Sequence, residues 1–303
     1  MIKLGIIGGA AAAAGELLRI LVNHPDVDLR FIYAPSLAGH PVTDIHHGLM
    51  GECDMAFTEN PSFDRLDVVM LCEPSPLAQR IALNPDELPE LRVIDLTGVY
   101  ARQPEAEMIF GLSEVNRKPL VRGATRAYVG SAAMTAAAIA LYPFASSLLL
   151  NSDIKIALSG RYTTAWDGDA EALAEYLRGV QNSFCSKVLY SPSDRVEEGS
   201  GRGMRLEIDF PCSLSVEEAI KLYDPIYDDH NFTFIAPRPV SVREVEGTQK
   251  CLLHISKPDP ASIHIEAVVD ATMRGGAGDA TQLPNLLFGR HERTGLALKA
   301  SNF

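Results

Sequence analysis

Residues 2–34, IKLGIIGGAAAAAGELLRILVNHPDVDLRFIYA, decide the fold of this chain. Residues 2–7 form a short apolar run ending in Gly8-Gly9, and residues 10–22 are rich in alanine and leucine, with Leu17, Leu18, Ile20 and Leu21 on overlapping helical faces. That is a strand, a glycine turn and a helix. Residues 28–34 (DLRFIYA) then read as a second strand, and a βαβ unit with glycine at its first turn opens a doubly wound parallel sheet. Working outward, residues 66–72 (LDVVMLC) and 92–96 (RVIDL) are continuous in Val, Leu and Ile, the pattern of strands buried on both faces.

After Leu150 the pattern changes. Residues 153–159 (DIKIALS), 204–210 (MRLEIDF), 251–256 (CLLHIS) and 262–268 (SIHIEAV) alternate apolar and polar positions, which suits a mixed or antiparallel sheet with one wetter face. Between them one helix places Leu173, Leu177, Val180 and Phe184 on a stripe, and another starts at the capping box Ser215-x-x-Glu218 and buries Ala219, Ile220 and Tyr223. A final helix over about 277–288 follows Gly275-Gly276 and returns to the first domain. The expected architecture is α/β: a Rossmann-type doubly wound parallel sheet from 1–146 with 277–303, and a second α+β domain from 147–276 that carries a mixed or antiparallel sheet. Residues 35–64, rich in Gly, His, Pro and Asn, exceed an ordinary connection and form a candidate functional loop.

Composition narrows the function. A formal net charge of −12 over 303 residues argues against a nucleic-acid or anionic-membrane surface and leaves a small-molecule or protein partner. The apolar run 132–150 is interrupted by Pro143 and by Ser146-Ser147, so no membrane span is expected. The cysteines Cys53, Cys72, Cys185, Cys212 and Cys251 are odd in number and contain no C-x-x-C pair, which fits reduced thiols and a cytoplasmic location. Metal-ligand spacing is absent, so no metal is expected; His46-His47 reads as a loop pair. His254 and His264 lie on strands whose neighbouring residues are apolar, and are expected to face solvent or an interface.

Several stretches, in order along the chain, resemble the N-acetyl-γ-glutamyl-phosphate reductase family of arginine biosynthesis, a branch of the semialdehyde dehydrogenases. They are residues 2–9 with Gly15-Glu16-Leu17-Leu18, then Val93-Ile94-Asp95-Leu96, then Gly111-Leu112-x-Glu114-x-Asn116-Arg117, then Arg274-Gly275-x-Ala277-Gly278 running on through Asn285-Leu286-Leu287-Phe288-Gly289 to Thr294-Gly295-Leu296. The resemblance implies an NADP-binding first domain and a middle domain that supplies substrate contacts and a dimer or tetramer interface. It also implies a chemistry. A cysteine thiolate attacks an acyl phosphate, phosphate leaves, hydride from the nicotinamide turns the thioester into an aldehyde, and a histidine moves protons.

Against that resemblance the chain departs at each chemical position. Counting back from Leu141-Tyr142-Pro143, the family cysteine position is Ala132, or Ser131 if one residue is shifted, and no thiol lies between Cys72 and Cys185. The histidine is missing, and Asp167-Gly168-Asp169 occupies the approach to the helix where it should stand; the glycine-rich segment preceding that helix is also absent. The family's G-x-x-G-x-x-G turn reads Gly8-x-x-Ala11-x-x-Ala14, so a methyl stands where backbone should approach a pyrophosphate, and any positive φ at Ala11 would cost about 1 kcal/mol. The cofactor contacts implied are Gly8, Gly9, Ala11, Ala12, Ala13, Ser36 toward a 2′-phosphate, Cys72 and Asn285, with NADP affinity weakened. Ser131 reads as a helix cap before a nucleophile, Asp167 and Asp169 as caps before an acid and base, and Glu114 with Asn116-Arg117 as structural.

Two readings follow. The preferred one is a catalytically inactive or diverged homologue, acting as a binding or regulatory protein and a homo-oligomer, alone or with an active paralogue. The alternative is an active NAD(P)-dependent oxidoreductase, either the parent reductase or one that transfers hydride directly without a covalent intermediate.

Overall fold

A computed structural model describes residues 1–160, 166–195, 199 and 201–300, without the side chains of 166–168. The chain divides into two compact units, Met1–Gly130 with Gly276–Ala297 and Ser131–Gly275 with the residues that follow Ala297.

The first unit is built on a six-stranded parallel sheet: β1 (Ile2–Ile7), β2 (Val27–Tyr33), β3 (Val68–Leu71), β4 (Arg92–Asp95), β5 (Ile109–Phe110) and β6 (Arg126–Tyr128), in the order β2-β1-β3-β4-β6-β5. The doubly wound expectation is met. Because β2 lies on one side of β1 and β3 on the other, the connections diverge at β1 and β3, which is the switch point where such sheets open a crevice at their carboxyl ends. Helix α1 (Ala12–Leu21) buries Ala14, Leu17, Leu18, Ile20 and Leu21, the face read from the sequence. Helices α2 (Pro76–Leu83) and α3 (Ser113–Val121) complete the crossovers, and the last helix, Gly278–Leu287, belongs to this unit. Strands β5 and β6 were not read from the sequence, since two and three residues carry no periodicity.

The second unit carries β7 (Ile154–Ser159), β8 (Val188–Pro192), β9 (Gly203–Pro211), β10 (Thr233–Ile235), β11 (Cys251–Asp259) and β12 (Ser262–Asp270) in the order β10-β11-β12-β9-β7-β8. Its centre is antiparallel, and both edges, β7 with β8 and β10 with β11, pair in parallel, so the sheet is mixed. Met204, Leu206, Ile208 and Phe210 are buried on one face. On that face lie α4 (Ala132–Ser146) and α6 (Val216–Tyr227): Phe144 meets Phe210 edge to face at 4.9 Å and Tyr223 at 6.0 Å. Helix α5 (Trp166–Val180) precedes β8, and α6 starts at the predicted box, with Ser215 Oγ accepting from Glu218 N and Glu218 Oε2 accepting from Ser215 N. Helix α4 is apolar on all sides and nearly wholly buried; among the described residues no helix is long and apolar enough to cross a membrane.

His24 ties the end of α1 to the C-terminal segment of the first unit. Its Nδ1 accepts from Asp26 N at 3.2 Å and its Nε2 meets the Thr294 carbonyl at 3.1 Å, a pairing that the neutral ring satisfies with its proton on Nε2. Burial lowers its pKa from 6.5, against the raising effect of the Thr294 hydrogen bond and the Asp26 charge. A base whose folded pKa is depressed takes up its proton sooner in the unfolded chain, so its stability contribution is full above about 6.5 and is lost as pH falls toward the folded value. Denaturant midpoints measured across this range are expected to drop below pH 6.5 in the native protein, with the His24 share of that slope gone in His24→Gln; an unchanged slope would contradict the assignment.

Candidate functional site

In the first unit the turn after β1 is shaped by contacts that only a bare backbone allows. Gly8 has φ of +81°, and a Cβ there would stand 2.5 Å from Glu73 Cβ and 2.7 Å from Glu73 N, just beyond the end of β3. The turn is closed by hydrogen bonds from Gly8 N and Gly9 N to the Tyr33 carbonyl, at 3.1 and 2.8 Å, and from Ala11 N to Gly8 O at 3.0 Å. Helix α1 then begins with no side-chain cap, so the amides of Ala12 and Ala13 open its N-terminus at the carboxyl edge of the sheet. Ala11 has φ of −66° and ψ of 150°, so the left-handed strain that the sequence reading attached to a methyl at this position does not arise. The turn fits the pyrophosphate of a dinucleotide: its cradle is made of backbone and helix dipole, and both survive the alanines.

The remaining residues named from the sequence for this half fall into three situations. Ser36 is exposed in the one-turn helix Pro35–Leu37 that directly follows β2, at the same edge of the sheet. Cys72 follows β3 and is buried; burial drives its thiol far above the ordinary range, and the charges of Asp95 and Glu73 push it the same way, so it is no thiolate at neutral pH. Asn285 is wholly buried in the last helix, where its Nδ2 donates to the Thr294 carbonyl at 2.9 Å and so anchors the chain terminus of this unit.

Two residues here make contacts that the sequence reading did not assign. His46, in the 35–64 excursion, places Nε2 2.7 Å from the Gly9 carbonyl, and a Cβ at Gly15 would lie 2.6 Å from its Nδ1, so the excursion is fastened to the glycine turn. Asp95, at the end of β4, is fully buried and accepts from both the N–H and the hydroxyl of Thr97 at 2.8 and 2.6 Å; burial raises its pKa and these bonds oppose the rise. The Asp-Leu-Thr run is a legible Asx-turn signal. Nothing in the local sequence announces the His46 contact, which spans 37 positions.

In the second unit, Ser131 is the N-cap of α4. Its Oγ accepts from Met134 N at 3.1 Å and donates to Asp169 Oδ2 at 2.8 Å. The structure thus brings together two residues that the sequence had named separately, while the side chain of Asp167 lies outside the described residues. Ala132 begins the helix as a buried methyl. Gly275, with φ of +67°, packs its backbone onto this turn: a Cβ there would stand 2.2 Å from Ala132 N. Tyr190 on β8 has a buried hydroxyl without a hydrogen-bond partner among the described residues, and burial, then the charge of Asp169, raises its pKa well beyond the ordinary phenol range.

A hydroxyl in this setting is a poor nucleophile. One lone pair serves the helix amide, its proton already points at a carboxylate, and an aspartate is a weaker base than an imidazole by about 2.6 pKa units. Ser131→Ala should therefore behave as the loss of a cap, lowering stability by about 1 kcal/mol. The check is a urea midpoint; a variant as stable as the native protein would show that the bonds to Met134 and Asp169 carry no structural weight.

Comparisons with known proteins now stand beside this geometry. Residues 3–122 match the family model of the semialdehyde dehydrogenase NAD-binding domain. Over the whole length of both chains, this one is 34% identical to the N-acetyl-gamma-glutamyl-phosphate reductase of Parabacteroides distasonis and 32% identical to that of Phocaeicola vulgatus. Both alignments run to 327 positions against 303 residues here, so they leave gaps in this chain. Among solved structures, aspartate semialdehyde dehydrogenase II of Vibrio cholerae superposes with a TM-score of 0.71 at 14% identity, over 95% of this chain and 99% of that one. The NADP complex of the Candida albicans aspartate semialdehyde dehydrogenase gives 0.66 at 13%, over 95% and 98%. At those identities the likeness is one of fold.

Proposed function

This chain belongs to the N-acetyl-γ-glutamyl-phosphate reductase family, and from that premise we propose that it binds a nicotinamide dinucleotide but has left the covalent reduction for which its relatives are named. The observation that carries the proposal is Ser131: the hydroxyl at the helix start is engaged by Met134 and Asp169, and Ala132 beside it has nothing to attack with. Of the five cysteines, Cys53 and Cys72 lie in the first unit, and Cys185, Cys212 and Cys251 lie on segments of the second other than the head of α4. On this reading the protein is a binding or regulatory member of the family, cytoplasmic, and a homo-oligomer alone or with an active paralogue. NADP is the preferred cofactor: β2 ends in no carboxylate to take a ribose hydroxyl, and the exposed Ser36 shortly after it supports contact with a 2′-phosphate.

Two measurements test the two halves of this reading. Titration with NADPH, followed by nicotinamide fluorescence, is expected to saturate, and Ser36→Ala to narrow the preference for NADPH over NADH; no saturation at millimolar nucleotide would remove the binding half. The reverse assay, NADP with N-acetylglutamate semialdehyde and phosphate, is expected to give no phosphate-dependent NADPH. Turnover in that assay would refute the loss of covalent chemistry.

A second reading has one observation in its favour. The Ser131 hydroxyl and the Asp169 carboxylate form a proton-carrying pair, which is what direct hydride transfer to a ketone or imine needs at the developing alkoxide or amine. NADPH oxidation with a small ketone or imine, lost in both Ser131→Ala and Asp169→Asn, would favour it.

A further inference from the structure

The carboxyl edge of the first sheet carries charge of one sign. The segments that run through the ends of β1, β3 and β4 there, residues 4–18, 68–79 and 93–101, contain no lysine or arginine, and their charged residues are Glu16, Glu73 and Asp95. Glu16 lies on α1 and pairs with Arg19 at 3.0 Å. Glu73 and Asp95 form no salt bridge among the described residues, and the first cation beyond these segments, Arg102, is exposed and pairs with neither. Glu73 is exposed, directly follows Cys72 at the end of β3, and is the residue that keeps Gly8 bare: a Cβ at Gly8 would stand 2.5 Å from Glu73 Cβ. Asp95 ends β4 opposite Leu71, fully buried, with Oδ2 lacking a hydrogen-bond partner among the described residues. The charges of both carboxylates act on the Cys72 thiol.

The local structure has no use for the Glu73 carboxylate. Helix α2, which begins three residues later, is capped by Ser75, whose Oγ accepts from Ala78 N at 3.1 Å, and Ser75 N donates to Tyr100 Oη at 3.3 Å. The cofactor geometry of this fold class supplies a use. A dinucleotide lies across the switch-point crevice with its pyrophosphate on the turn after β1 and its adenosine toward the end of β2, so the nicotinamide half falls on the β3 and β4 side. The oxidised nicotinamide ring carries a positive charge and the reduced ring carries none, while the phosphates of the two forms are the same. A carboxylate beside the ring therefore favours the oxidised form alone, whereas one beside the pyrophosphate would disfavour both forms equally.

We propose that Glu73 makes this unit selective for the oxidised nicotinamide dinucleotide, so that its occupancy follows the oxidised fraction of the nucleotide pool. The inference rests on the nucleotide-binding reading above and extends it: a chain that binds the cofactor without turning it over, and that prefers one redox form, carries a signal about the other form's abundance. Glu73 is the specificity-determining residue because it is exposed and unpaired at the turn, while buried Asp95 adds to the same field from behind it. An excess of acidic residues with no cation on these three segments leaves nothing local to cancel that field.

The test is calorimetric titration of the native chain with NADP+ and with NADPH, repeated with NAD+ and NADH so that the 2′-phosphate is constant within each pair. The oxidised form is expected to bind about 5-fold more tightly in both pairs, the scale of one partly solvated charge pair, with the difference narrowing at high salt. Glu73→Gln is expected to remove most of the difference by weakening the oxidised forms alone, and Glu73→Lys to reverse it. Equal affinities in the native chain, a difference that Glu73→Gln leaves unchanged, or tightening of both forms together in that variant overturns the proposal while leaving nucleotide binding intact. If neither form saturates, the nucleotide reading has failed and this inference falls with it.

Discussion

The hydroxyl of Ser131, held between the Met134 amide and the Asp169 carboxylate, is the interaction on which the functional account depends. It fixes the first turn of α4, and α4 is the helix that the second unit packs around. Phe144 contacts both Phe210 and Tyr223, and Tyr227 Oη donates to the Ile139 carbonyl at 2.8 Å. On the proposed reading, the bond that starts the helix also engages the one side-chain heteroatom at positions 131–132, where the resemblance implies a reactive group. Structure and chemistry compete for one oxygen, and here structure holds it.

On the proposed reading, the first unit gives a physical reason why a dinucleotide turn can outlast a covalent site. Its turn works through backbone: Gly8 is forced by Glu73, the amides close on Tyr33, and α1 presents its N-terminus uncapped. Replacing glycine by alanine at position 11 leaves that geometry in place because the local φ is negative. A covalent step has no such tolerance. It needs one sulfur and one base, and buried Cys72, with its thiol driven to the neutral form, cannot stand in for them.

Much of this was readable before any coordinates. The long strands, α1 and the capping box of α6 carry their periodicity or cap chemistry within a single segment, so local physics was enough. Strands β5, β6 and β10 are too short to carry a period and are defined by their neighbours. The site followed the same rule. Gly8 and Ser131 sat in recognisable turns, whereas the partnership of Ser131 with Asp169, the grip of His46 on Gly9 and the approach of Glu73 to Gly8 are tertiary facts that no spacing encodes. The cost stated for a positive φ at Ala11 does not arise, because a residue type reports what a backbone angle would cost and not which angle is adopted.

The central claim, that the oxygen at the head of α4 is a cap and not a nucleophile, is tested most directly by intact-mass spectrometry after incubation with an acyl phosphate. The account predicts an unchanged mass. An acyl adduct that maps to Ser131 and disappears in Ser131→Ala would contradict it.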